Sequence, residues 1–132
     1  MCLVDDSESF TVSNTVDRKA RRSHECGECR RVISPGETYS YTTGLYDGHW
    51  DDFKMCAHCW RVASWLDVTC NGWLFNAVQE DLEEHWRESW ELRSHYLGRA
   101  ILGMRGKWRR KDGTLMALPR LFTRADLPAS AR

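Results

Sequence analysis

No apolar run in this 132-residue chain approaches the ~18 residues that a membrane-spanning helix requires, so no segment is expected to cross a bilayer. The opening residues, MCLVDDSESF, are acidic and lack the apolar stretch of a secretory signal. That weighs against a secreted, disulfide-framed protein. Net charge is also missing: 19 basic and 19 acidic residues cancel, and a globally neutral chain makes a poor general binder of nucleic acid. There is no G-x-x-x-x-G-K phosphate loop, and no H-x-E segment precedes a P-C-x-x-C, which excludes P-loop nucleotide hydrolysis and zinc deamination. An HNH-type nuclease would place its His and Asn between two C-x-x-C pairs; here that interval holds one His, His49, and no Asn. His49 is the best lone candidate for a general base, yet no Asp, Asn or His pattern surrounds it. The chain is expected not to be an enzyme.

What is present is a pair of C-x-x-C motifs, Cys26/Cys29 and Cys56/Cys59. Each such turn offers two sulfurs to one ion, and four thiolates at roughly 2.3 Å suit a tetrahedral Zn²⁺. Four sulfurs close the coordination shell, which makes one structural zinc the expected cofactor rather than a catalytic one. His24 or His58 standing in for one cysteine would leave the site equally closed. A redox dithiol would show a single C-x-x-C inside a βαβ pattern, which is absent. Cysteines used as metal ligands, without an export signal, point to a cytoplasmic protein. Cys2 reads as a passive thiol and Cys70 as a small buried apolar residue.

The expected fold is α+β, in four stretches. Residues 1–17 are polar and acidic and read as a flexible arm. Residues 18–72 read as a treble-clef zinc module: a cysteine knuckle followed by Pro35-Gly36, a β-hairpin, then a helix that supplies the last two ligands. Tyr39 and Tyr41 alternate with polar residues over Glu37 to Thr43, Asp47-Gly48 supplies the turn, and His49 to Met55 returns. The helix runs from Cys59 to Cys70 and stops at Asn71-Gly72. In the third stretch, 73–122, a long amphipathic helix is expected from Trp73 to about Leu97, with Leu74, Val78, Leu82, Trp86 and Trp90 forming one stripe. Gly98, Gly103 and Gly106 break the pattern, and Lys107 to Leu118 reads as a short basic β-hairpin turning at Asp112-Gly113. Residues 123–132 read as a frayed tail.

Charge is segregated along this neutral chain. Residues 47–91 hold ten acids against three bases, a net of −7, and residues 98–132 hold nine bases against two acids, a net of +7. The candidate contacts for nucleic acid or an acidic partner are Arg21 and Arg22 in the run RKARR, and Lys107, Trp108, Arg109, Arg110 and Lys111, where cations flank an aromatic. On the long helix, Glu80, Glu83, Glu84, Glu88 and Glu91 form an acidic face able to imitate a phosphate backbone. Seven Trp in so short a chain supply aromatic anchors for a partner, or for a homodimer through the Leu/Trp stripe.

HECGECRRVISPGETY, then TTGLYDGHWDDFKMCAHC, then a helix and EDLEEHW, resemble small treble-clef or zinc-ribbon-like proteins of bacteriophages and prophages, most without assigned activity. The likeness covers residues 18 to about 118 and implies a zinc module made in an infected bacterium. By analogy with small accessory phage proteins, the expected role is stoichiometric binding of a host protein or nucleoprotein complex, in its sharpest form as an anti-CRISPR or other anti-defence inhibitor. The second expectation is a zinc-dependent DNA- or RNA-binding regulator.

Overall fold

A computed structural model describes residues 12–70, 72–88 and 95–120. Along the chain come β1 (Val12–Lys19), β2 (His24–Glu25), β3 (Val32–Ile33), β4 (Thr38–Tyr46), β5 (His49–Cys56), α1 (Ala57–Cys70), α2 (Val78–Glu88) and α3 (His95–Arg105). This is a mixed α+β architecture. β1, β4 and β5 make an antiparallel sheet with β4 in the centre, and β2 pairs with β3 in a separate short ribbon.

The β4–β5 hairpin turns where Asp47-Gly48 demands it. Both residues have positive φ, 50° and 79°, as a two-residue loop matched to strand twist requires. That fixes the register Tyr46↔His49 through Tyr39↔Cys56, so the last residue of β5 is a cysteine delivered to a set place. Pro35-Gly36 makes a second tight turn, with Gly36 at φ 93° and the Glu37 N–H donating to the Ser34 carbonyl at 3.1 Å.

Three expectations are corrected. First, the arm assigned to residues 1–17 is strand from Val12 onward, pairing with β4 from Val12↔Leu45 to Lys19↔Thr38. Its polar sequence is weak as a strand by itself; the free edge of β4 satisfies its backbone, and tertiary pairing overrides propensity. Residues 1–11, including Cys2, lie outside the described residues. Second, the helix assigned to Trp73–Leu97 begins only at Val78. Asn76 has φ 67°, and the Glu28 carboxylate accepts the Asn76 N–H at 2.6 Å and the Val78 N–H at 3.1 Å. A carboxylate from the cysteine knuckle therefore caps the helix start, where a negative charge is favoured. Trp73 and Phe75 are left in the approach to α2, where Trp60, Trp73, Phe75 and Phe53 form a chain of ring contacts from α1 to β5. Trp90 and Glu91 lie outside the described residues.

Third, Gly98 and Gly103 do not break a helix; they sit inside α3. A Cβ on Gly98 would lie 3.4 Å from the Trp86 ring, so this glycine lets α2 and α3 approach. A Cβ on Gly103 would lie 2.2 Å from the Trp108 ring. The helix ends in a Schellman arrangement: the Trp108 N–H donates to the Gly103 carbonyl at 2.7 Å and the Lys107 N–H to Met104 at 3.1 Å. Lys107 occupies the left-handed position at φ 56°. The chain thus folds back over α3 and lays Trp108 across Gly103. The segment after it closes at Asp112-Gly113 as expected, with Thr114 donating to the Asp112 carboxylate. It is a tight loop with one bridge, Arg109↔Leu115, in place of full strands.

The core joins both halves of the chain. Ile33, Met55, Val62 and Leu66 are buried together with Val78, Leu82, Leu97, Ile101 and Met104. Val78 and Leu82, two of the five residues of the stripe offered for a homodimer, are spent on this core. Among the described residues no helix is long and apolar enough to cross a membrane. Gly103→Ala is expected to destabilise the protein by about 1–3 kcal/mol through overpacking against Trp108. An open helical site would instead gain up to about 1 kcal/mol from the same change. Chemical denaturation decides between them, and a stabilised variant would contradict the packing described.

Candidate metal centre

Cys26 and Cys29 lie in the loop between β2 and β3, Cys56 ends β5, and Cys59 lies in the first turn of α1. All four are buried and free of disulfides. Their sulfurs lie within 4.8 Å of one another, with Cys29 and Cys56 Sγ 3.9 Å apart. A tetrahedron with bonds of about 2.3 Å has edges of roughly 3.8 Å. A disulfide would need about 2.05 Å. The spacing is that of one metal site.

Local geometry explains the convergence. In the first knuckle the Cys26 N–H donates to Arg31 O at 2.9 Å, the Arg30 N–H donates to Cys26 O at 3.0 Å, and Arg30 adopts φ 67°. The Gly27 N–H donates to Lys54 O at 2.8 Å, and a Cβ there would lie 3.3 Å from that oxygen, so glycine lets the knuckle lie against β5. The second pair straddles the junction at which strand becomes helix.

The sulfurs are set up to carry charge. Cys26 Sγ accepts the N–H groups of Glu28 at 3.4 Å and Cys56 at 3.3 Å, and Cys56 Sγ accepts the Cys59 N–H at 3.5 Å. Thiols this close do not ionise independently. Hydrogen bonding from Cys29, then Cys56 and Cys59, pulls the Cys26 thiol down, whereas bonding to Cys26 above all pushes Cys59 up. A cation that balances all four removes that conflict.

Two neighbours not foreseen as part of the centre complete it. Arg31 is 2% exposed. Its guanidinium donates to both Glu37 carboxylate oxygens, at 2.9 and 3.1 Å. Burial alone would lower its pKa, but the charges of Cys56 and Glu37 outweigh burial and hold it above the usual arginine range. A divalent ion with four thiolates leaves an excess negative charge, and a buried guanidinium beside Cys56 offsets it. Nothing periodic in CRRV marks Arg31 as buried, so sequence reading passes over it. Trp108 is the second, and it corrects an expectation: assigned above to an exposed contact surface, it is 1% exposed, and its indole N–H donates to Cys59 Sγ at 3.3 Å. Its place across Gly103 on α3 puts it against the metal centre.

Neither histidine replaces a cysteine. Burial lowers the pKa of His58, and its Nε2–H donates to Met116 O at 2.7 Å. His24 lies beside Tyr39, ring centroids 4.9 Å apart. A second buried group, Cys70, Asp81 and His85, also brings its ligand atoms within 4.8 Å. Cys70 is buried at the end of α1, as its reading as a small buried residue expects, and it is disulfide-bonded, so its sulfur is no thiolate. Burial pushes the His85 pKa down to about 4.

The basic residues divide. Arg21 and Arg22 are exposed and, with Arg18, Lys19, His24 and Tyr39, line an open cleft of about 920 Å³. Among the described residues no carboxylate pairs with Arg18, Lys19, Arg21 or Arg22. Lys107, Arg109, Arg110 and Lys111 are exposed as expected. Arg110 donates to Thr114 Oγ1 and Leu115 O, and the Arg109 charge acts on both Glu37 and His58. The Glu37 carbonyl accepts the Ala20 N–H at 2.8 Å, which ties the Arg21–Arg22 stretch to the Pro35-Gly36 turn.

The acidic face is partly neutralised from within. Glu83 pairs with Arg105 and Glu84 with Arg87, while Glu80 and Glu88 are exposed; Glu91 lies outside the described residues. Comparison with known proteins finds no matching family model, curated sequence or solved structure.

Trp108→Phe keeps the ring over Gly103 but removes the N–H donated to Cys59. It is expected to weaken metal binding about 10–100-fold, as loss of an outer hydrogen bond to a ligand does. Competition with a chromophoric chelator measures this, and unchanged affinity would contradict the role given to Trp108.

Proposed function

We propose that this protein is a non-enzymatic, zinc-stabilised binding module of the treble-clef type whose ligand is nucleic acid, free or within a nucleoprotein complex. Zinc is the ion that four thiolates at tetrahedral spacing fit best, and four sulfurs leave no position for substrate. The order of knuckle, hairpin and ligand-bearing helix supports the treble clef. The single observation that carries the ligand class is the cleft bounded by Arg18, Lys19, Arg21, Arg22 and His24, whose four basic side chains have no carboxylate partner among the described residues. Unpaired cations around a concave surface match a phosphate backbone.

A second reading, an inhibitor that offers its acidic helix to a basic channel of a host defence complex, draws on the exposed Glu80 and Glu88 of α2. It has less support, since Arg105 and Arg87 already occupy Glu83 and Glu84. The phage setting implied by the resemblance fits either reading.

The test is titration of labelled oligonucleotides across a salt series. The wild type is expected to bind at low salt with affinity falling as salt rises, and Arg21→Glu with Arg22→Glu to weaken binding at least about tenfold and to flatten the salt slope by about one unit per lost phosphate contact. Failure of both single-stranded and duplex probes to bind the wild type at low salt would overturn the reading.

A further inference from the structure

We infer that the nucleic acid is single-stranded and that its unpaired bases stack on the sheet face opposite α1; this rests on the nucleic-acid reading above. In an antiparallel sheet, directly paired residues share a face. The pairing therefore puts Arg18 with Tyr39, Val16 with Tyr41 and Lys54, Asn14 with Thr43 and Asp52, and Leu45 with Trp50 on one side. The other side carries Ser40, Thr42 and Met55, all buried, and Ser40 lies beside Trp60, Arg61 and Ser64 of α1. The first side is closed at one end, where Tyr39 and its partner Cys56 are buried at the metal centre, and open beyond it, where Trp50 is 64% exposed and Val16 38%.

Three properties of that open face point to one ligand chemistry. It is aromatic, with Tyr41 and Trp50 separated by four residues along the strands, a distance of about 13 Å. It is cationic at one end, where Arg18 lies over the Tyr41 ring at 4.1 Å and Lys54 is the direct partner of Tyr41 on β5. It is continuous with the basic cleft, since Arg18 and Tyr39 belong to both. The acid on this face, Asp52, accepts the Tyr41 hydroxyl at 3.0 Å and fixes that ring. A backbone groove that runs onto rigid aromatic rings is how proteins hold single strands, because every unpaired base has a π face to stack. A duplex keeps its bases stacked on one another and offers this face only phosphates and groove edges.

The experiment compares an oligothymidylate or oligouridylate of about 16 nucleotides with a duplex of equal length, by fluorescence anisotropy at low salt. The expected result is single-strand affinity at least about tenfold above duplex affinity, since stacking on aromatic rings favours the strand whose bases are free. Trp50→Ala is expected to weaken single-strand binding by about five- to a hundredfold, the loss of one stacked base, with duplex binding and the salt slope unchanged. Trp50 lies outside the core, and wild-type metal content and melting of the variant verify its fold. The DNA and RNA arms show which backbone is preferred. Duplex binding as tight as single-strand binding, or a Trp50→Ala variant that binds single strands like the wild type, overturns this inference and leaves the nucleic-acid reading standing. No binding by any probe overturns both.

Discussion

Convergence of four sulfurs is the constraint on which the rest of the structure depends. Cys26 and Cys29 reach the centre from a loop, Cys56 from the end of a strand and Cys59 from the start of a helix, so one ion would fix the relation of three kinds of element at once. The β2–β3 ribbon is two residues to a strand and the sheet has three strands; elements this small do not hold together by apolar burial alone. A structural metal contributes binding energies of order 10 kcal/mol to folding, enough to decide whether such a unit folds.

Contacts radiate from that centre to α2, to the turn before β4 and to the end of α3. Glu28, between two of the cysteines, caps α2; Arg31 carries the centre's charge to Glu37; Trp108 returns from the end of α3 to bond Cys59. Gly103 is what makes the last of these sterically possible. The C-terminal half is therefore no appendage to a metal module, since its helix start and its deepest tryptophan are both tied to the knuckle. The opposite charges of the two halves are used in the same way: Arg105 from the basic segment pairs with Glu83 from the acidic one. Among the described residues Arg18, Lys19, Arg21 and Arg22 have no carboxylate partner, and they are the surface to which recognition is assigned in the proposal above.

The hairpin, its Asp47-Gly48 turn, the helix after it and the gathering of four cysteines were legible because each rests on local chemistry: alternation, turn residues and cysteine spacing. What was not legible depended on partners distant in sequence. β1 is polar and becomes a strand because β4 offers an edge. The start of α2 is set by a carboxylate fifty residues upstream, which no periodicity over 73–97 reveals. Gly98 and Gly103 read as breakers when taken alone and as close-packing sites once the Trp86 and Trp108 rings are in place. Trp108 beside Lys107, Arg109 and Arg110 had the composition of a contact surface, yet the left-handed turn at Lys107 and Trp108 sends the indole inward and leaves only the cations outside.

An ion held by four cysteines is the central requirement of this fold, and elemental analysis of the purified chain alongside thiol counting tests it most directly. The prediction is one equivalent of zinc per chain, with Cys26, Cys29, Cys56 and Cys59 protected from alkylation until a chelator removes the metal and the fold is lost. Well under one equivalent of metal, with those cysteines oxidised to one another in a chain that remains folded, would contradict it.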